Sequence, residues 1–245
     1  MKFFKLLFQI NNLNDLPFKK DFFNKSEKCL IFLFSCMNVK NGMLPNYGAN
    51  DGALFFKFGV QDFRDYRPQL ESLALSLGLK WDLESCEDKY WFGLSEESKT
   101  PRTLIYKSTN IFHEGGYYLI NDNDNTKTFI RCGNHKDRPS QADNLHLDLW
   151  HEGDNIMRDA GSYKYNTDED DLKYFFGTKS HNTLTLGNND QMLKGGRFIW
   201  YYWSQREKAS VWENDENYIF TGSIHAFTYL NKGILHTRTI EKNKN

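Results

Sequence analysis

No charge of one sign dominates this 245-residue chain: 31 Lys and Arg stand against 32 Asp and Glu, a formal net charge of −1. A chain so balanced lacks the overall positive field that holds a phosphate backbone, which argues against a nucleic-acid partner. Long hydrophobic runs are missing too. The longest nearly unbroken apolar stretch is 29–37, far short of the roughly 18 residues that read as a membrane span, and the mean hydropathy is −0.69. Cysteine is scarce: Cys29, Cys36, Cys86 and Cys132 form no Cys-x-x-Cys pair and no zinc-finger spacing. Cys29 and Cys36 fall seven apart in the apolar stretch, which places them on one helix face and reads as buried free thiols. The redox compartment stays open on this count. Met1-Lys2 followed by Phe3, Phe4, Leu6, Leu7 and Phe8 imitates a secretory leader. Lys5 and Gln9 interrupt it and no small-residue cleavage motif follows, so the segment reads as part of a structural helix.

What the chain does have is aromatic surface: 20 Phe, 13 Tyr and 6 Trp. Flat rings suit stacking on sugars or bases and equally suit a Phe-rich core, so they decide nothing alone. Patterning divides the chain into 1–99 and 100–245. Up to about residue 80 the apolar period is helical. Phe18, Phe22 and Phe23 follow Pro17 at helix spacing, and Ser26 is a plausible N-cap for a helix over 27–39, apolar nearly all round and stopped by Asn41-Gly42. Pro68 opens another helix with Leu70, Leu73, Ala74 and Leu77 on one stripe, closed by Gly78. A polar, Gly-rich loop, 45–52, lies between them.

From about residue 100 the period becomes two. Leu145, Leu147 and Leu149 alternate with His146, Asp148 and Trp150 as in a half-buried strand. Further strands are predicted at 103–107, 117–121, 126–132, 182–186, 198–203, 218–223 and 233–240, with turns at 121–125, 152–155 and 187–190. Helices followed by turn-punctuated strands give an α+β chain, its second part an antiparallel sandwich. Both ends read as incomplete, which predicts a fragment of a longer protein.

Three segments carry the chemistry: Arg138-Pro139-Ser140-Gln141-Ala142-Asp143-Asn144-Leu145-His146-Leu147-Asp148-Leu149-Trp150-His151, then Arg158-Asp159-Ala160-Gly161-Ser162-Tyr163-Lys164-Tyr165-Asn166, then Ser180-His181-Asn182-Thr183. Together they resemble the β-sandwich part of the heparinase II/III-like family of polysaccharide lyases. The loop Asn46 to Gly52 and Asp65-Tyr66-Arg67-Pro68 resemble the closing part of that family's (α/α) toroid. The resemblance implies cleavage of acidic, uronate-containing polysaccharides by β-elimination, in the periplasm or cell envelope. In that reaction the uronate carboxylate is neutralised, a base removes the C5 proton, and an acid, often Tyr, protonates the departing O4. A tyrosine near its ordinary pKa of about 10 needs a cationic or donor-rich neighbour to act as a base.

The resemblance carries over residue by residue. Members commonly show His-x-His-Ala-Asp where this chain has Pro139-Ser140-Gln141-Ala142-Asp143, so Gln141 stands at a histidine position that is catalytic or zinc-binding in relatives. Asp159 and His181 match the other zinc ligands; with Gln141 a poor ligand, zinc is one reading and a hydrogen-bonded Asp–His pair that pins two strands is the other. Tyr163 and Tyr165 occupy the place of a substrate-reaching tyrosine, against the alternative of two strand tyrosines packed on a sheet. If that segment is extended, both rings share a face. Asn46, Tyr47, Asn50 and Asp51 are candidate substrate contacts or a polar turn. Arg64, Arg67 and Arg138 offer planar forks for substrate carboxylates or form ordinary salt bridges. Asp122 to Asn125 imitates a calcium loop but lacks the required Gly and Glu and reads as a hairpin turn. Asp168-Glu169-Asp170-Asp171 reads as a solvated acidic loop or a first helical turn. A polysaccharide lyase is the leading expectation, with the upstream toroid groups absent. A non-catalytic carbohydrate-binding sandwich and a glycoside hydrolase are the rivals.

Overall fold

The computed structural model describes residues 2–13, 18–50, 57–94, 102–105, 107–121, 126–164, 166–196 and 198–244. The chain forms two compact units, one of Met1–Leu44 with Leu54–Lys107, the other of Pro45–Ala53 with Ser108–Asn245.

The first unit is helical. It contains α1 (Lys2–Leu13), α2 (Lys20–Cys36), α3 (Arg67–Ser76) and the single turn α4 (Asp88–Trp91), with the short parallel pair β1 (Leu79–Lys80) and β2 (Arg102–Thr103). Its core joins Phe8, Leu30, Phe34, Met37, Leu70, Leu73, Ala74 and Leu79. Each fully buried Leu in such a core contributes roughly 1.5–3 kcal/mol. α3 starts and stops as its sequence predicts, with Pro68 in the first turn and Gly78 at φ +69 just beyond the end. α2 corrects the sequence reading. Ser26 is no cap: it lies inside the helix, and its hydroxyl donates to the Phe22 carbonyl at 2.9 Å, the i−4 bond that lets serine sit mid-helix. The helix buries the ladder Ser26, Leu30 and Phe34 and its last two residues, Ser35 and Cys36, rather than most of its circumference. Cys29 lies off that ladder and is exposed, whereas Cys36, Cys86 and Cys132 are buried, and all four are free. Among the described residues no helix is long and apolar enough to cross a membrane.

The second unit holds two antiparallel sheets. One is a meander of β3 (Thr109–Phe112), β4 (Tyr117–Asn121), β5 (Lys127–Arg131), β6 (Leu147–His151) and β7 (Asp154–Met157). After it come α5 (Glu169–Phe176) and the two-residue pair β8 (Leu193–Lys194) and β9 (Trp200–Tyr201). The other sheet is β10 (Gln205–Glu213), β11 (Asn217–His225) and β12 (Leu235–Asn243). Tyr118, Ile120, Ile130 and Leu147 from the meander, with Leu145 from the turn before β6, meet Tyr218, Phe220 and Ile224 from β11 in one core. The β6–β7 hairpin turns on Glu152 (φ +56) and Gly153 (φ +100), two consecutive left-handed residues that match the twist of the paired strands.

Three strand expectations fail. Residues 182–186 form no strand, only an isolated bridge from Leu186 to Asn189, because the backbone of Asn182 bonds the His146 ring and Leu147 instead. Residues 198–203 reduce to the two-residue β9, and of 103–107 the described residues form a strand only at Thr103, the end of β2, with residue 106 outside the described residues. Nor is β6 half-buried. Asp148 and Trp150, on the face opposite the sandwich core, are both covered. The acidic run does begin a helix: Asp168 caps α5 by accepting from the Asp171 amide at 2.9 Å. Residues 122–125, the imitation calcium loop, lie outside the described residues.

Candidate functional site in the β-sandwich unit

The face of the meander away from the core carries Tyr117, Phe129, Arg131 and Asp148, because the register pairs Tyr117 with Arg131 and Phe129 with Asp148. Two loops cross this face. One follows β7 and contains Asp159; the other follows a single 3₁₀ turn, Thr178–Ser180, and contains His181. The Asp143–His146 turn precedes β6, closed by the His146 amide to the Asp143 carbonyl at 3.0 Å and bent at Leu145, φ +59.

These three segments bring His146, Asp159 and His181 together, all fully buried at the side chain. Asp159 Oδ1 accepts from the Gly161 amide at 2.7 Å, and Oδ2 accepts from His181 Nδ1 at 2.9 Å. His146 Nε2 stands 3.3 Å from the same Oδ2. Gly161 has φ +75, and a Cβ there would come within 2.4 Å of Asn46 Nδ2, so the close approach of these two segments requires glycine. Burial pushes the His146 imidazole down to about 4 against the opposing charge of Asp159. For His181 burial also opposes charge, but the hydrogen bond to Asp159 and the carboxylates of Asp143, Asp159 and Asp190 outweigh it and raise its pKa. Burial pushes Asp148 up to about 6, although Asn155, Trp150 and the Asp159 amide donate to it.

The zinc expectation is decided by lone pairs. One nitrogen from each ring and one Asp159 oxygen lie within 4.8 Å of one another, close enough to surround an ion. However, the Asn182 amide donates to His146 Nδ1 at 3.1 Å, and a peptide N–H can only donate. The neutral His146 ring therefore carries its proton on Nε2, the nitrogen facing Asp159, and has no lone pair there for a metal. Gln141 does not replace it. It is buried, its amide nitrogen donates to the Gly161 carbonyl at 3.0 Å and the Phe175 carbonyl at 3.4 Å, and its Oε1, buried without a hydrogen-bond partner, is a neutral amide oxygen that binds zinc far more weakly than imidazole. Asp159 and His181 alone fall short of the three protein ligands that zinc sites use. The residues present do not fit zinc. Accordingly, protein equilibrated with zinc and then passed through a weak chelator should retain much less than one equivalent, with an unshifted thermal midpoint. Stoichiometric zinc by elemental analysis would show that the Asn182–His146 bond gives way to the metal.

The other expected site residues disperse. Asn46 joins the site, donating to the Asp159 carbonyl at 3.3 Å. Tyr47 does not offer its phenol to a ligand: the hydroxyl accepts from Arg131 Nε at 3.1 Å, and the ring packs against Phe129 and Tyr117. Asn50 exchanges bonds with the Ser162 hydroxyl through its backbone, 2.8 Å each way. Asp51 and Tyr165 lie outside the described residues. Tyr163 is 58% exposed, stacks on Phe175 at 5.2 Å and has φ +56. Its left-handed backbone means the segment is not extended there, which removes the argument that the two tyrosines share a face. Arg67 forms a two-pronged pair with Asp65, 2.7 Å at the shorter contact, in the helical unit. Arg64 donates to the Leu44 carbonyl. Arg138 is exposed and lies over the Phe198 ring.

Sequence reasoning missed three contributors. His146 appears in the sequence only as an outward member of an alternating strand. Arg158 and Lys179 are single cations beside the matched Asp159 and His181. In the structure both cations line a depression of about 430 Å³ with Asn46, Tyr174 and Asn182.

Comparison with known proteins follows the same lines. Residues 107–245 match the family described as Heparinase II/III-like, C-terminal. A heparin-sulfate lyase of Bacteroides thetaiotaomicron is 26% identical over 121 residues, covering 44% of this chain and 17% of the relative. The fold is similar to a heparan sulfate lyase from Pedobacter heparinus, with TM-score 0.58, 19% identity and coverage of 93% of this chain and 32% of that one. A heparinase III gives TM-score 0.55 at 15% identity, covering 91% and 36%. The chain thus spans about a sixth of the curated relative and about a third of each solved structure. With more than half of its residues matched, in the unit that carries Asp159 and His181, the chain belongs to the heparinase II/III-like family.

Proposed function

We propose that the protein is a polysaccharide lyase-like chain that acts on an anionic, uronate-containing glycan by β-elimination at the periplasm or cell envelope, with the helical unit as the end of an (α/α) toroid. The observation that carries this reading is the cationic, amide-lined depression built on the Asp159–His181 pair. β-Elimination needs the uronate carboxylate neutralised before the C5 proton becomes acidic, and Arg158, Lys179, Asn46 and Asn182 are groups of that chemistry. This reading assigns proton exchange with the sugar to Tyr163, which is exposed and stacks on Phe175, itself edge-on to the Tyr174 wall of the depression. The buried Gln141, its amide nitrogen held by two carbonyls, cannot do the work of an imidazole. That substitution favours a second reading, a sandwich that binds the glycan without cleaving it.

Ultraviolet absorbance separates the two. Lyase action leaves a conjugated unsaturated uronate, whereas hydrolysis or binding leaves none. The protein, and a longer form extended upstream if the gene encodes one, is incubated with a panel of uronate polysaccharides. Absorbance should rise, and Tyr163→Phe should reduce turnover by about 10²-fold, a typical contribution of one acid–base group. No absorbance change from either form, with the polymer retained intact on the protein, would replace the lyase by the binding module.

A further inference from the structure

We infer that Arg158 and Lys179 form an anion subsite that selects glycans by a sulfate or carboxylate oxyanion on the sugar; this rests on the reading that the protein takes an acidic glycan. The depression they line, about 430 Å³, falls in the range of small-ligand clefts. Its charge is one-sided. Asp159 is the only carboxylate in the lining, and it is fully buried with both oxygens turned to the Gly161 amide and His181. Among the described residues, neither cation has a carboxylate within salt-bridge distance. Lys179 Nζ donates to the Asn188 amide oxygen at 3.2 Å. Two exposed cations at the rim of a cleft, with no carboxylate among the described residues paired to them, hold an electrostatic demand for an anion.

The mounting is rigid where the charge is mobile. The Arg158 carbonyl accepts from Asn182 Nδ2 at 3.2 Å, and the next residue is Asp159, fixed by its own carboxylate bonds. Lys179 sits in the 3₁₀ turn held by the Thr178 amide to Asp190 Oδ1 at 2.7 Å and by Ser180 Oγ to the Phe175 carbonyl at 3.0 Å. Arginine offers a planar fork that matches an oxyanion edge, and lysine offers a point charge. One wall is Tyr174, 52% exposed and set edge-on to Phe175, which in turn stacks on Tyr163. An aromatic wall beside a pair of cations suits a sugar ring that carries a negative substituent.

The test is calorimetric titration of the full chain, run beside the absorbance assay. The probes are a sulfated heparin oligosaccharide, its desulfated counterpart that retains the carboxylates, and a neutral glucose oligosaccharide of the same length. Arg158→Gln and Lys179→Gln should each weaken the anionic probes about tenfold and the double variant about a hundredfold. Arg158→Lys should recover part of the loss, and the neutral probe should not discriminate wild type from variants. Both side chains are exposed, so unchanged thermal midpoints confirm folding. Loss confined to the sulfated probe assigns the subsite to sulfate; equal loss on both anionic probes assigns it to carboxylate. Equal affinity of wild type and double variant for both anionic probes overturns the subsite, as does failure of the wild type to bind either. If binding follows the variants but no unsaturated product forms, the subsite stands and the lyase reading falls. If product forms at the same rate with every variant, β-elimination stands with the carboxylate neutralised by other groups than these two cations, and the subsite falls.

Discussion

Asp159→Ala is expected to lower the unfolding free energy by about 3–5 kcal/mol, the range for removing one partner of a buried charged network. The carboxylate accepts from the Gly161 amide at 2.7 Å and from His181 Nδ1 at 2.9 Å, and His146 Nε2, which makes no hydrogen bond, stands 3.3 Å from it. The side chains of Asp159, His181 and His146 are fully buried. Alanine strands those donors, and each unsatisfied buried group costs about 1–3 kcal/mol. Against a total stability of about 5–15 kcal/mol, this loss threatens the fold of the sandwich unit as well as its site. Asp159→Asn separates charge from shape. Its oxygen can still accept from the Gly161 amide, but its NH₂ then faces His181 Nδ1. The imidazole must move its proton to Nε2, an atom with no hydrogen-bond partner in the buried site. Asn should therefore cost less than Ala, about 1–3 kcal/mol, and it should still destabilise. Urea unfolding of the three proteins measures this directly. A loss below about 1 kcal/mol for alanine would mean that water enters to replace the carboxylate, and the network would not be what holds the loops.

Much of this arrangement was legible before any coordinates, for reasons that differ by residue. Pro68 and Gly78 bracket α3 because their backbone limits are local and need no partner. β11 and β12 announce themselves by period and by length. Ser26 misled because serine caps helices and also back-bonds within them, and only the Phe22 carbonyl decides which. Asn182 and Thr183 read as strand residues, yet their polar groups are spent on the His146 ring, on Arg238 and on Gln191. Those partners lie far along the chain, so no local pattern reveals them. In the site, Asp159 and His181 could be found because they sit in motifs. His146 was hidden by strand alternation, which marks it as outward-facing; it is outward from the core and still buried, because the loops bearing Asp159 and His181 close over that face. Arg158 and Lys179 gave no signal, since single cations are ordinary on any surface and become a site only through the absence of neighbouring carboxylates. Gln141 signalled a change of chemistry, and the tautomer of His146 then showed that this ring does not supply the missing zinc ligand.

The helical unit holds a second buried ion network, and it should respond asymmetrically. Glu71 on α3 is 1% exposed and accepts from the Ser85 hydroxyl and the Cys86 amide, each at 2.7 Å, while Lys89 Nζ stands 3.6 Å away and is itself 2% exposed. The carboxylate is thus held by two short hydrogen bonds and a longer ion pair. Burial, then the charge of Glu71, pushes the Cys86 thiol up to about 12, so that thiol stays protonated and adds no competing charge. Glu71→Ala removes the acceptor for a buried amide and a hydroxyl and takes from the Lys89 ammonium the carboxylate 3.6 Å away; the expected loss is about 3–5 kcal/mol. Lys89→Met keeps both short bonds to Glu71 and puts an apolar chain of similar length in an apolar setting. It should cost about 1–2 kcal/mol less than Glu71→Ala. Chemical denaturation of the two variants ranks them. Equal losses would place the stabilisation in the ion pair rather than in the two short bonds. A greater loss from Lys89→Met would mean that the buried carboxylate depends on the ammonium, and that the Ser85 and Cys86 donors alone cannot hold a negative charge inside this unit.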